Sequence, residues 1–123
     1  VSSSPIAPQG NSNYPGSPYN AFGSNEILVK RLLGAWDEST VTWNTQPSST
    51  SVDQVIIPAS TSRWDYDAID LNVTALVQQM VNTGNYGFLL QMQTEQEYRN
   101  MNFHSGDSPV AGKRPKLVIT YKL

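Results

Sequence analysis

Apolar positions fall into two periods along this chain, and the first clear one begins at residue 25. Ile27, Val29 and Leu33 alternate on one face while Leu28 and Leu32 occupy the other, which predicts a strand buried on both sides, with Lys30 and Arg31 marking where it leaves the core. Further β-type runs lie at residues 40–44, 54–58, 63–71, 87–93, 98–104 and 116–123, most of them bounded by Gly, Pro, Ser or Asn. In the last run Leu117, Ile119 and Tyr121 share one face, with Val118 and Thr120 opposite. Pro115 stands just before it, where the missing amide hydrogen does no harm to a ladder. One segment has the helical period instead: Val73, Leu76, Val77, Met80 and Val81 form a single stripe, with Asn72 placed to cap the first turn and Gly84 to end the last. Several short strands at this spacing, with one short helix over an end, predict a β-sandwich or barrel.

Residues 1–24 interrupt either period. Pro5, Pro8, Gly10, Pro15, Gly16, Pro18 and Gly23 stand among Ser and Asn, which predicts an irregular arm. Tyr14, Tyr19 and Phe22 are more aromatic than a free linker carries, so part of the arm is expected to pack on the domain. A length of 123 residues suits one domain. Opening on Val1, with neither a basic segment nor an apolar signal stretch, the sequence reads as a processed or trimmed product.

Charge narrows the function. Only 15% of residues are charged, against about 25% in an average globular chain, and the net charge is −2. There is no basic stripe for a nucleic-acid backbone and no apolar run of bilayer-spanning length, so neither nucleic-acid binding nor membrane insertion is expected. The chain has no cysteine, so packing and hydrogen bonds must hold the fold without disulfides.

Four motifs then follow one another: WDESTVTWN at 36–44, NVTALVQQM at 72–80, NYGFLL at 85–90 and RPKLVITY at 114–121. Their order and spacing, over roughly residues 25–123, resemble the C-terminal part of the DNRLRE family, whose members are similar to carbohydrate-binding modules of family 96. Trp36, Asp37, Glu38, Thr42, Trp43, Asn72, Thr74 and Pro115 carry the resemblance. Asn72 stands where the family's motif usually has Asp, and Met80 where an aromatic is common. The resemblance implies an all-β, jelly-roll-type antiparallel sandwich in a secreted or cell-surface protein. Family members open with an N-terminal half that holds an Asn-Tyr-Gly motif and two or three strands ahead of the segment matched here, and that half is expected to be absent from this chain. The resemblance therefore also implies a companion polypeptide or neighbouring subunit that supplies the remaining strands.

The candidate chemistry points to binding and not to catalysis. Asp37 and Glu38 are adjacent, and neighbours on an extended chain face opposite ways, so they cannot flank one glycosidic bond. Trp36 and Trp43 are expected to anchor packing there while Asp37, Ser39 and Thr40 satisfy turn amides. His104 is the sole histidine and has no nucleophile motif around it. Asp65, Asp67 and Asp70 offer hard oxygens for calcium, without the glycine and distal Glu of a helix-loop-helix calcium loop; otherwise they are edge charges against sheet pairing. Asn72-Val73-Thr74 matches a glycosylation acceptor but coincides with the helix start and is read as a cap. Trp64, Tyr66 and Tyr98 are aromatics outside the expected core, and Arg99 and Gln91 are polar groups able to bind sugar hydroxyls or carboxylates. The expected function is a non-catalytic extracellular module that binds a polysaccharide within a larger secreted or surface protein. The alternative is a structural subunit of an adhesin or filament, completed by strands from another chain.

Overall fold

Strand β1 (Ile27–Leu32) lies at the centre of the structure, a computed structural model that describes residues 10–122. The first nine residues of the expected arm and Leu123 of the last expected strand lie outside the described residues. β1 pairs antiparallel with β2 (Ser49–Ile57) on one side and β3 (Phe88–Met92) on the other, giving the sheet order β2-β1-β3. The register places Ile27 opposite Ile57 and Met92, and Val29 opposite Val55. Residues directly opposite in an antiparallel ladder share a face, so one face gathers these side chains. Leu28, Lys30, Ile56, Leu89 and Gln91 go to the other.

Helix α1 (Thr74–Thr83) covers the first face, as its apolar period requires. Its Leu76 is wholly buried and forms the core with Ile27, Val29 and Ile57, while Val55, Phe88, Met92 and Met101 pack around them. Gly84 ends the helix as expected: at φ 115° it lies in the left-handed region, and its amide donates to the Met80 carbonyl at 3.0 Å. The start differs by one residue. Val73 holds the cap position, its carbonyl accepting from the Val77 amide, while Asn72 Oδ1 accepts from the Thr74 amide at 3.1 Å. The capping oxygen is present, one step earlier than the period predicts.

The ladder between β1 and β2 is irregular. Pairing jumps from Val29 with Val55 to Arg31 with Thr50, so residues 51–54 stand against the single Lys30. The excess bulges outward, with Asp53 at φ 61°.

Four expected strands form no ladder, and hydrogen bonds to other partners account for two of them. At 40–44 the amides of Thr40 and Val41 donate to the Asp37 carbonyl and that of Thr45 to Thr42, which closes turns. At 98–104 the backbone is taken by the arm: Ser12 donates to the Asn100 carbonyl, and Asn11 Oδ1 accepts from the Asn102 amide. Residues 63–71 are irregular, yet Tyr66, Ala68 and Leu71 still pack against the core. Residues 116–122 pair with nothing among the described residues, and Leu117, Val118, Ile119 and Tyr121 are all about half or more exposed. The described residues therefore show one three-stranded sheet with one helix on it, a β-rich fold without the paired second sheet of a sandwich.

The arm packs as its aromatics predict. Its short 3-10 turn (Pro18–Phe22) is capped by Ser17, whose Oγ accepts from the Tyr19 amide. Tyr98 stacks on Tyr19, ring centroids 6.0 Å apart, and tilts against Phe22 at 4.6 Å.

Candidate functional site

A cleft of about 270 Å³ opens where the arm meets two loops of the domain, and Asn11 builds its wall. This buried side chain donates through Nδ2 to the Ser62 carbonyl at 3.0 Å and accepts through Oδ1 from the Asn102 amide at 2.9 Å. Its own amide donates to the Arg63 carbonyl at 2.9 Å. One asparagine thus joins residues 62–63 to residue 102. Ser62 Oγ accepts from the amides of Trp64 and Asp65, which sets the turn that carries the indole.

Trp64 is 62% exposed and Phe103 is 47% exposed, and both line this cleft. The Arg63 guanidinium lies over the Trp64 ring, 5.0 Å from its centroid, within cation–π range. Gly10 backs onto the same pair. Its φ is 99°, and a Cβ there would come within 2.6 Å of the Arg63 carbonyl oxygen and 3.1 Å of Trp64. Tyr66 lines the cleft with its hydroxyl donating to the Pro58 carbonyl at 2.9 Å, and burial pushes that hydroxyl's pKa up.

Among the described residues the polar side of the cleft holds two cations and one carboxylate. Arg63 and Lys113 stand against Asp67, and Lys113 Nζ lies 2.6 Å from Asp67 Oδ2. His104 Nδ1 is 2.9 Å from the buried Ser108 Oγ. Ser108 does not line the cleft and its oxygen also accepts from the Val110 amide, so the pair closes a turn and presents no nucleophile.

Of the expected sugar-binding residues, the structure brings Trp64 and Tyr66 together here. Tyr98 and Arg99 serve the arm: Tyr98 stacks on it, and Arg99 Nε donates to the Phe22 carbonyl at 2.8 Å. Gly23 makes room for that guanidinium, since a Cβ there would collide with it. Gln91 lies on β3, accepting from Lys30 Nζ at 3.0 Å and donating to Glu95. The cleft adds Asn11, Arg63, Asn102, Phe103 and Lys113, which lie far apart in the chain. The only sequence signal among them is the alternation around Phe103.

Asp65, Asp67 and Asp70 do not converge. Among the described residues no three His, Cys, Asp or Glu side chains come together as a metal cage, and Asp67 is taken by Lys113.

The motif residues have turn roles. Asp37 Oδ1 accepts from the hydroxyl and the amide of Ser39, and these two bonds hold its carboxyl below the ordinary Asp range. Glu38 is exposed. Neither Trp of the motif anchors a core: Trp36 is half-exposed and pins its loop by donating from Nε1 to the Tyr86 carbonyl at 2.8 Å, and Trp43 is 75% exposed. Pro115 is exposed beyond a short 3-10 turn (Ala111–Lys113).

A comparison with protein families places these features. The family model described as carbohydrate-binding module family 96 matches residues 16–121. The chain belongs to carbohydrate-binding module family 96. The match runs from the arm through the sheet, the helix and both flanks of the cleft to the exposed C-terminal run, so the cleft is almost wholly inside the module. No curated protein and no solved structure matches the chain.

Proposed function

We propose that this family 96 module is a non-catalytic, extracellular polysaccharide-binding unit of a larger secreted or surface protein, and that it holds the polysaccharide in the Trp64–Phe103 cleft. The exposed indole of Trp64 carries this reading. Pyranose rings present apolar C–H faces that lie flat on aromatic side chains, while cations and amides at the rim take the hydroxyls or carboxylates. The Trp64 cleft offers both kinds of surface, with Arg63, Lys113 and Asn102 at its rim. Among the described residues neither an opposed carboxylate pair nor an activated nucleophile accompanies them, and the family match to a carbohydrate-binding module supports binding without turnover.

Affinity electrophoresis through gels containing neutral or acidic polysaccharides tests this directly. The wild-type chain is expected to be retarded by at least one polysaccharide, and Trp64→Ala to lose the retardation in gels of acidic polysaccharide. Equal mobility of the wild type in every gel would overturn the reading.

The exposed run at 117–121 supports a second reading. A strand-like segment with apolar side chains on both faces, beside a sheet whose β2 and β3 edges are unpaired among the described residues, is suited to completion by strands of another polypeptide. On this reading the one observed sheet is part of a jelly-roll sandwich of the DNRLRE kind, and the assembly is an adhesin or filament. Light scattering over a range of concentrations tests it: growth that Ile119→Lys suppresses supports it, and a monomer throughout counts against it.

A further inference from the structure

A groove of about 540 Å³ runs along β3 between that strand and the loop that returns to β2, and it shares no lining residue with the Trp64 cleft. Trp43 stands on its rim, three-quarters in water. With the half-exposed Leu90 in the same lining, the indole belongs to an exposed apolar patch, and such patches are where binding surfaces occur.

The turn that carries it is firmly held. The Thr42 amide donates to Thr45 Oγ1 at 2.8 Å, the Thr45 amide donates to the Thr42 carbonyl at 3.1 Å, and the two hydroxyls lie 3.0 Å apart. Leu33 and Ser48 close the base of the loop by a backbone bond of 2.8 Å. The indole is therefore presented on a fixed support, so little side-chain and loop entropy remains to be lost on binding.

Opposite it, Gln91 and Glu95 are linked in a chain with Lys30, which orients the Gln91 amide. Gln46 and Ser49 add further uncharged hydrogen-bonding groups. Among the described residues Glu95 is the one charged side chain lining the groove, with the Lys30 ammonium bound to the neighbouring Gln91, whereas those lining the Trp64 cleft include two cations and one anion. The groove thus lacks the cationic lining of the cleft. A carboxylate-bearing sugar finds no cation in the groove's described lining, and one with hydroxyls alone meets an aromatic face beside amide, hydroxyl and carboxylate partners.

We infer that the Trp43 groove is a second glycan-binding site, independent of the Trp64 cleft and selective for neutral sugar chains. The inference rests on the carbohydrate-binding reading and adds a site and a substrate class to it. Two sites on one module raise retention on a polymer through effective concentration, without any new contact.

The test uses the full chain and three variants, Trp43→Ala, Trp43→Tyr and Trp64→Ala, titrated with soluble neutral oligosaccharides and with uronate oligosaccharides. Trp43→Ala is expected to weaken neutral-glycan binding by about tenfold or more, as loss of a stacking platform worth roughly 1.4 kcal/mol requires. Trp43→Tyr keeps a ring and should recover most of that loss. Uronate binding should be unchanged in both, and Trp64→Ala should leave neutral-glycan binding in place. Because Trp43 is exposed, the melting temperature of each variant should match the wild type, which separates loss of a site from loss of the fold. Neutral-glycan affinity unaffected by Trp43→Ala, in a chain that still binds sugar through Trp64, would overturn this inference alone. A wild type that binds neither glycan class would overturn both. Self-association abolished by Trp43→Ala, with glycan affinity unmoved, would make the groove a contact between polypeptides and would also overturn it.

Discussion

Asn25 and Ser60 hold each other through two hydrogen bonds in the interior: Asn25 Nδ2 donates to Ser60 Oγ at 2.9 Å, and the Ser60 amide donates to Asn25 Oδ1 at 3.0 Å. Asn25 is wholly buried, and its second Nδ2 proton goes to the Asn100 carbonyl at 2.7 Å. Ser60 Oγ in turn donates to the Asn13 carbonyl at 2.6 Å. The entrance to β1, the exit of β2, the loop at 100 and the arm meet at this pair. Asn25→Ala would strand the Ser60 amide away from water, while the Asn100 carbonyl keeps its bonds from Ser12, so it is expected to lower the unfolding free energy by about 1–3 kcal/mol. Urea denaturation checks this. Ser60→Ala, which keeps the backbone bond, should cost less.

Tyr98 is expected to govern how firmly the arm is docked. It sits at φ 64° with its ring against Tyr19 and Phe22. Tyr98→Ala removes both ring contacts while leaving the helix and sheet untouched. Limited proteolysis should then cut between residues 14 and 23 several-fold faster than in the wild type, with little change in the rate of cutting within β1.

Tyr66 should show itself at alkaline pH. Burial raises its folded pKa above the ordinary value of 10.0, so the unfolded chain loses the phenolic proton first. The contribution of Tyr66 is thus intact below about pH 10 and declines as pH rises through the folded pKa. Tyr66→Phe has no proton to lose, and its stability should fall less steeply above that pH. Removing the bond to the Pro58 carbonyl should cost about 1 kcal/mol at neutral pH. Thermal melts across the alkaline range measure both effects.

At the acid end Asp37 behaves in the opposite sense. The Ser39 hydroxyl and then the Ser39 amide lower its pKa from 3.8, so the turn is fully supported above the ordinary Asp range and loosens as pH falls through the depressed value. The Ser39 amide resonance should therefore titrate with a midpoint below that of an unstructured Asp, and Asp37→Ala should abolish the titration.

How far the residues alone reach depends on the range of the interaction that decides each element. β1, the last four residues of β2, β3, the helix and its closing glycine were legible because period and capping act over a few residues: Ile27 and Val29, or Leu76 and Met80, disclose a buried face by their spacing. Residues 40–44 and 98–104 read as strands on the same grounds, yet the first closes turns on Asp37 and Thr42 and the second bonds to the distant arm. Alternation cannot weigh such competition.

The candidate sites divide in the same way. Trp64, Tyr66, Trp43 and Gln91 could be picked out by residue type, and the order of four motifs, read as a resemblance to the DNRLRE family, pointed to a likeness with carbohydrate-binding module family 96, which the comparison found over residues 16–121. Only the tertiary structure decided that Trp64 and Tyr66 share a cleft with Phe103 and Lys113, and that Tyr98 and Arg99 belong to the arm. It also decided that Trp43 faces water above β3 and not a core. Local order follows from neighbours along the chain, whereas a binding surface is a coincidence of distant segments. Here Asn11 joins residue 62 to residue 102 through hydrogen bonds that no periodicity records.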